Sequence, residues 1–302
     1  MPIAPSRIYH VNINCSILDR SLAFYCDLVG LKQSTRTAPT TPQPGGAFGL
    51  DQVQWDAWIL QGDKGNEGVV LDLLEWKVPT PVGEPARDAT TAGFNRLCIA
   101  TADLDAMHAR LVAAGADCWT APTDLHLGDG ATARMFVCGD PDGTQIEFVA
   151  GSSTRLSHIA INCADFARSQ HYYRDVIGLQ PARELNPPRQ PGVLFRIAGE
   201  MELRTELLRD PVSGFMVELI DWLHPTTHVE PARVANQLGI FRMAWVTKDI
   251  AQDYRILGGA GVSCYSPPGD LSMGPGLPDL QALFWGDPDG ACLELIQSPG
   301  AA

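Results

Sequence analysis

Four runs along the chain alternate apolar and polar residues: IYHVNIN from Ile8, FNRLCIA from Phe94, LSHIAIN from Leu156 and FRMAWV from Phe241. This period of two predicts a strand with one buried face. Each run is followed by a stretch with apolar residues three to four apart, such as Leu104, Met107, Leu111 and Ala114, which predicts a helix. Gly30, Gly115, Gly178 and Gly261 close these helices as expected caps. Shorter strand-like runs come next (DAWIL, VVLDLLEW, ARMFVC, TQIEFVA, GVLFRIA, FMVELIDW, ALFWG, CLELIQ), and DPDG at Asp140 and Asp287 predicts a tight turn before a last strand. The order strand, helix, then about three strands occurs four times. It predicts an α+β fold with curved, mostly antiparallel sheets covered by helices on one side.

The pattern repeats at the level of residues. His10, Asn14, Cys15, Arg20, Ser21, Tyr25 and Asp27 recur as His158, Asn162, Cys163, Arg168, Ser169, Tyr173 and Asp175. Further on, Trp76, Pro79 and Glu84-Pro85-Ala86-Arg87 recur as Trp222, Pro225 and Glu230-Pro231-Ala232-Arg233. The chain of 302 residues is therefore expected to hold two domains, 1–152 and 153–302. The first would contain modules of about 7–80 and 92–150, the second modules of about 155–226 and 239–298.

Composition narrows the function. Apolar residues are 45% and charged residues 19%, a globular balance, and the formal net charge of -13 disfavours nucleic acid and anionic membrane as partners. No run approaches the roughly 18 apolar residues of a membrane span. The start, MPIAPSRIYHVNIN, lacks the apolar centre of a signal peptide. Eight cysteines without a CxxC read as free thiols, so a cytoplasmic location is expected.

Strand parity gathers the chemistry. His10, Asn12 and Asn14 share one face of the first strand, opposite Tyr9, Val11 and Ile13; His158, Ala160 and Asn162 share the matching face of the third module. Modules two and four place Arg96 and Arg242 where the others have His. The last strand of each module carries one acid: Asp72, Glu147, Glu218 or Glu294. A charged face on strands whose other face is apolar suggests a concave site.

The βαβββ modules used in pairs, the strand His with the helix start from Asp19 to Tyr25, and the terminal DPDG followed by Glu147 or Glu294 resemble the vicinal oxygen chelate superfamily. It includes glyoxalase I, bleomycin-resistance proteins and extradiol dioxygenases. The resemblance spans roughly residues 7–298. It implies four modules paired into two cup-shaped sheets with helices outside, and metal ligands from the first and last strands of each module. One departure stands out: Arg242 occupies the place of a second His, and a guanidinium has no lone pair to give a metal. Whether modules pair in sequence or crossed, each cup receives one His, one Arg and two carboxylates.

Three readings follow. Arg96 pairs with Glu147 and Arg242 with Glu294, leaving a metal-free pocket; or His158, Glu218 and Glu294 (in the other half His10, Asp72 and Glu147) hold one Fe, Mn or Zn ion; or a cup is filled by packing and an ion pair. The preferred function is a small-molecule enzyme with isomerase- or lyase-like chemistry through an oxyanion or enolate. His158, Glu218, Arg242 and Glu294 are its candidate catalytic residues, and His10, Asn12, Asp72, Arg96 and Glu147 its substrate-binding ones. The alternative is a metal-free drug- or metabolite-binding protein, with Trp55, Trp58, Trp245 and Trp285 as candidate walls. The third is a divalent-metal dioxygenase or glyoxalase-like lyase. The Gly/Pro-rich loops 41–49 and 266–278 are candidate lids. Asn14 and Asn162 are expected as turn formers, Tyr25 and Tyr173 as core, and His224 and His228 as linker surface. A homodimer is left open.

Overall fold

The computed structural model describes residues 2–298 apart from Ala4, Arg87, Asp129 and Ala232. All four modules are present. The first runs from strand Arg7–Asn14 to strand Val70–Val78, the second from Gly93–Thr101 to Gln145–Ala150, the third from Arg155–Asn162 to Met216–His224, and the fourth from Gly239–Val246 to Cys292–Gln297.

The modules pair crosswise. Strand Arg7–Asn14 lies antiparallel to Gly239–Val246, fusing modules one and four into a 9-stranded sheet. Strand Arg155–Asn162 lies antiparallel to Gly93–Thr101, fusing modules two and three into a 10-stranded sheet. We call their concave faces the outer cup and the inner cup. Within a module the first and last strands are parallel neighbours, which sets Asn12 beside Asp72 and Cys98 beside Glu147. The division at 152/153 marks the repeat in the sequence; it falls inside the 10-stranded sheet, between two of its strands.

One continuous apolar cluster takes the convex faces of both sheets and the buried sides of the helices, with Ile8, Val11, Ile13, Leu97, Ile159, Met243 and Trp245 among its members. Smaller clusters line each cup, around Trp55 and Phe48 in one and around Phe195 and Trp222 in the other. Asn14 and Asn162 tie the linkers down. Asn14 Nδ2 donates to the carbonyls of Ala235 and Gln237 at 2.8 Å each, and its Oδ1 accepts from Trp76 Nε1 at 3.0 Å. Asn162 does the same with Ala89, Thr91 and Trp222. Tyr25 and Tyr173 are buried, and their hydroxyls donate to the DPDG carboxylates of Asp140 at 2.9 Å and Asp287 at 2.8 Å.

Three local expectations are corrected. Tyr9 does not share the core face with Val11: a bulge between Ile8 and His10 turns it into the outer cup. The helices of modules one and three are short, Leu18–Leu22 and Phe166–His171, and each widens into a π turn, Ala23–Leu28 and Tyr172–Val176. GVLFRIA is not a strand. Gly192, Arg196 at φ 56° and Gly199 at φ 85° fold it into a single turn, Val193–Phe195, over the inner cup.

Candidate functional site

Each cup is a cavity of similar size, about 170 Å³ in the outer and about 180 Å³ in the inner. Each floor holds one histidine, one arginine and two carboxylates.

In the outer cup the quartet is His10, Asp72, Arg242 and Glu294. Arg242 donates from Nε to Glu294 Oε2 and from Nη2 to Asp72 Oδ2, both at 2.7 Å. Asn12 Nδ2 adds a bond to Asp72 Oδ2 at 3.2 Å. His10 Nε2 lies 3.2 Å from Glu294 Oε2, off the line of a hydrogen bond, so both its ring nitrogens and Arg242 Nη1 are buried without a partner among the described residues. Burial works to raise the Glu294 carboxyl, but the charge of Arg242, then His10, hold it below its ordinary value.

In the inner cup the quartet is Arg96, Glu147, His158 and Glu218. Arg96 Nε reaches Glu147 Oε2 at 3.2 Å, while its Nη1 turns to Asn95 Oδ1 at 2.8 Å. His158 Nε2 sits 3.2 Å from Glu147 Oε1 and 3.6 Å from Glu218 Oε2. No hydrogen bond joins Glu218 to Arg96 among the described residues. The two carboxylates are driven apart. Burial would raise Glu147, yet its contact with His158 and the Arg96 charge hold it at about 2. Glu218 is raised by burial, which the charge of His158 offsets only in part, and the nearby Glu147 charge adds to the rise. Burial favours neutral His158, but Glu147 and Glu218 raise it overall. The side chains of His158 and Glu218 are each 16% exposed to the cavity, against 7% and 6% for His10 and Asp72.

A sequence model of the Glyoxalase/Bleomycin resistance protein/Dioxygenase superfamily matches residues 7–148. Residues 7–148 belong to this superfamily. Solved structures agree on the fold of the whole chain. Glyoxalase I from Zea mays is 17% identical with a TM-score of 0.67, over 96% of this chain and 92% of that one. A putative dioxygenase from Bacillus subtilis subsp. subtilis str. 168 is 13% identical with a TM-score of 0.62, over 98% and 86%. A search of the curated proteins found no match.

Crossed pairing redistributes the expected site residues. Arg242 and Glu294 meet His10, Asn12 and Asp72; His158 and Glu218 meet Arg96 and Glu147. The expected catalytic set is thus split between two sheets. The expected metal set of His158, Glu218 and Glu294 does not come together, because module three pairs with module two and not with module four. The alternative set of His10, Asp72 and Glu147 is divided in the same way. Trp55 lines the outer cup, whereas Trp245 and Trp285 are core and Trp58 packs against the core from a half-buried position. His224 and His228 lie outside both cups; His228 stands beside Thr90, Thr91 and Asp88. Both candidate lids line the outer cup, through Phe48 and through Leu271, Met273 and Leu277. Gln43 joins them, donating to Ser272 O at 3.0 Å and accepting from Ser272 N at 2.8 Å. Gln190 makes the same clamp on His126 over the inner cup.

Parity did not single out Cys98, Asn95 or Tyr9 as site residues. Cys98 lay two residues from Arg96 and was within reach of that reasoning; Tyr9 depends on a bulge that no local pattern marks. A divalent ion fits the outer cup poorly, because Arg242 occupies both carboxylates. In the inner cup Cys98, Glu147 and His158 offer atoms within 4.8 Å of one another. Burial and then Glu147 push the Cys98 thiol well above its ordinary value, and Arg96 already engages Glu147, so this donor set also fits poorly.

Proposed function

We propose that the chain is an enzyme acting on a small oxygenated metabolite, with proton-transfer chemistry in the inner cup and no dependence on a metal. The observation that supports this is the divergence of Glu147 and Glu218, two carboxyl groups in one cup pushed in opposite directions. Such divergence is how a site assigns a proton-moving group and a permanent anion. Glu218, facing the cavity and unbound to Arg96, takes a proton from carbon or returns it. Arg96, anchored by Glu147, stabilises the oxygen anion of the resulting enolate. His158 holds the substrate oxygen and shares the charge of the carboxylates. This is isomerase- or lyase-like chemistry.

The test is carbon–hydrogen exchange in D2O, followed by NMR on 2-oxo acids and hydroxyketones. Wild type should wash out a substrate proton, and Glu218→Gln should slow it by about 10²–10⁴-fold. Exchange untouched in Glu218→Gln would refute the assignment. Stoichiometric Fe, Mn or Zn in protein purified without chelator, lost on His158→Ala, would refute metal independence.

A second reading, ligand sequestration without chemistry, draws on the outer cup. There, His10 and Arg242 line an apolar cavity and carry buried nitrogens without a partner among the described residues, an arrangement suited to gripping an oxygen-bearing ligand. Binding abolished by His10→Ala, with no exchange chemistry anywhere, would favour it.

A further inference from the structure

We propose that Cys118 and Cys138 form a reversible disulfide that tightens the edge on which the Val193–Phe195 turn, the lid of the inner cup, docks. The two sulfurs share a hydrogen bond at 3.4 Å. The residues are direct cross-strand partners, Cys118 on the two-residue edge strand Asp117–Cys118 and Cys138 on strand Ala131–Gly139. Trp119 N donates to Val137 O at 2.8 Å, so the cysteines occupy a non-hydrogen-bonded antiparallel site. At such sites the Cα atoms stand about 4.5 Å apart, inside the range of about 4.4–6.8 Å that a disulfide spans. The bond therefore closes by side-chain rotation, without moving the sheet.

The pair divides the labour of thiol–disulfide exchange. Cys118 is half-buried and reachable, while Cys138 is fully buried behind it. The hydrogen bond from its partner outweighs burial and holds the Cys118 thiol below its ordinary value. The oxidant is a low-molecular-weight disulfide such as oxidised glutathione. The Cys118 thiolate, its proton given to water, attacks one sulfur of the oxidant and expels the other as a thiolate, which takes up a proton. Cys138 then attacks the mixed disulfide, loses its proton and expels the second small thiol. One protein S–S bond forms, and one oxidant disulfide is reduced to two thiols.

The fold supplies its own control and a consequence. In module four the matching partners are Cys264 and Trp285, so one half of the pair is missing there. On the lid side, Arg196 follows the Val193–Phe195 turn and docks on this edge. Its Nη1 donates to Asp117 Oδ2 at 2.9 Å, and its guanidinium carbon lies 4.8 Å over the Trp119 ring. Phe195 beside it lines the inner cup.

Full-length protein incubated with oxidised glutathione should lose two titratable thiols, with a Cys118–Cys138 peptide recovered in a non-reducing digest. Dithiothreitol should reverse the loss. Cys118→Ser and Cys138→Ser should each abolish the linked peptide, and Cys264→Ser should leave it intact. Amide hydrogen exchange across residues 193–196 should slow at least twofold on oxidation, and no slowing should occur in Cys138→Ser. A glutathione adduct on Cys118 that never resolves to the linked peptide would overturn the pairing. A linked peptide with unchanged exchange at 193–196 would overturn its effect on the lid.

Discussion

The two cups are built on one plan, yet they hold their charges differently. In the outer cup Arg242 spans both carboxylates and Asn12 reinforces Asp72, so each acid has a donor, and the groups unpartnered among the described residues are His10 and Arg242 Nη1. In the inner cup Arg96 serves Glu147 alone, and Glu218 is left to His158. Few exchanges separate them. Phe241 becomes Asn95, which draws the Arg96 fork sideways; Asn12 becomes Ala160, which withdraws a donor from the module's acid; and Asp72 becomes the longer Glu218. The difference teaches that one plan can set an acid either under an arginine bridge or against a histidine alone, and that in the second case burial drives its carboxyl up.

The largest break in this comparison should come from the arginines. Arg242→Ala leaves Asp72 and Glu294 buried without the guanidinium that bridges them. Urea unfolding should show a loss of about 3–5 kcal/mol. Arg96→Ala leaves Glu147 still paired with His158 and should cost visibly less. Equal losses in the two variants would mean that the cups are energetically alike.

Next is acid. Glu147, held at about 2 in place of an ordinary 4.5, contributes stability that is fully present above pH 4.5 and fades as pH falls toward 2. The shift corresponds to roughly 3 kcal/mol. His158 has the opposite sign: its raised value stabilises below an unfolded value of 6.5, and the contribution is lost as pH rises through the folded value. Glu147→Gln should flatten the acid limb of the stability profile and lower the imidazole titration of His158, followed by NMR. An unchanged His158 titration in that variant would mean the pair is not coupled.

Much of this was legible in the sequence, for a physical reason. Period-two alternation placed His10, Arg96, His158 and Arg242 on concave faces, because one face of each strand had to be buried. Each arginine–glutamate pair within a module follows from parallel neighbouring strands. What the sequence could not carry was long-range: whether module one pairs with two or with four depends on linkers whose contacts, such as Asn14 with Ala235, are not local. Hence the mixed quartet of His158, Glu218, Arg242 and Glu294, each residue correctly faced and half of them in the other sheet. Tyr9 and GVLFRIA failed differently, through a bulge and through a left-handed Arg196 that override a plain strand pattern.

The finest test transplants the difference itself. Asn12 stands beside Asp72 as Ala160 stands beside Glu218, in the same register of parallel strands. Asn12 Nδ2 donates both to the Asp72 carbonyl at 3.1 Å and to its carboxylate. Ala160→Asn should bring the same donor to Glu218 and stabilise its ionised form, since a bond to the charged state lowers a carboxyl pKa. Glu218 should then titrate lower than in wild type, read from the acid limb of the exchange rate, an effect small beside that of the arginines but confined to one group. The variant's rate should hold further down that limb, because Glu218 stays ionised to lower pH. If Glu218 does not move while the variant folds normally, the distinction between the cups lies with Asn95 and the direction of the Arg96 fork, and the reciprocal Asn95→Phe becomes the exchange that should close the inner quartet.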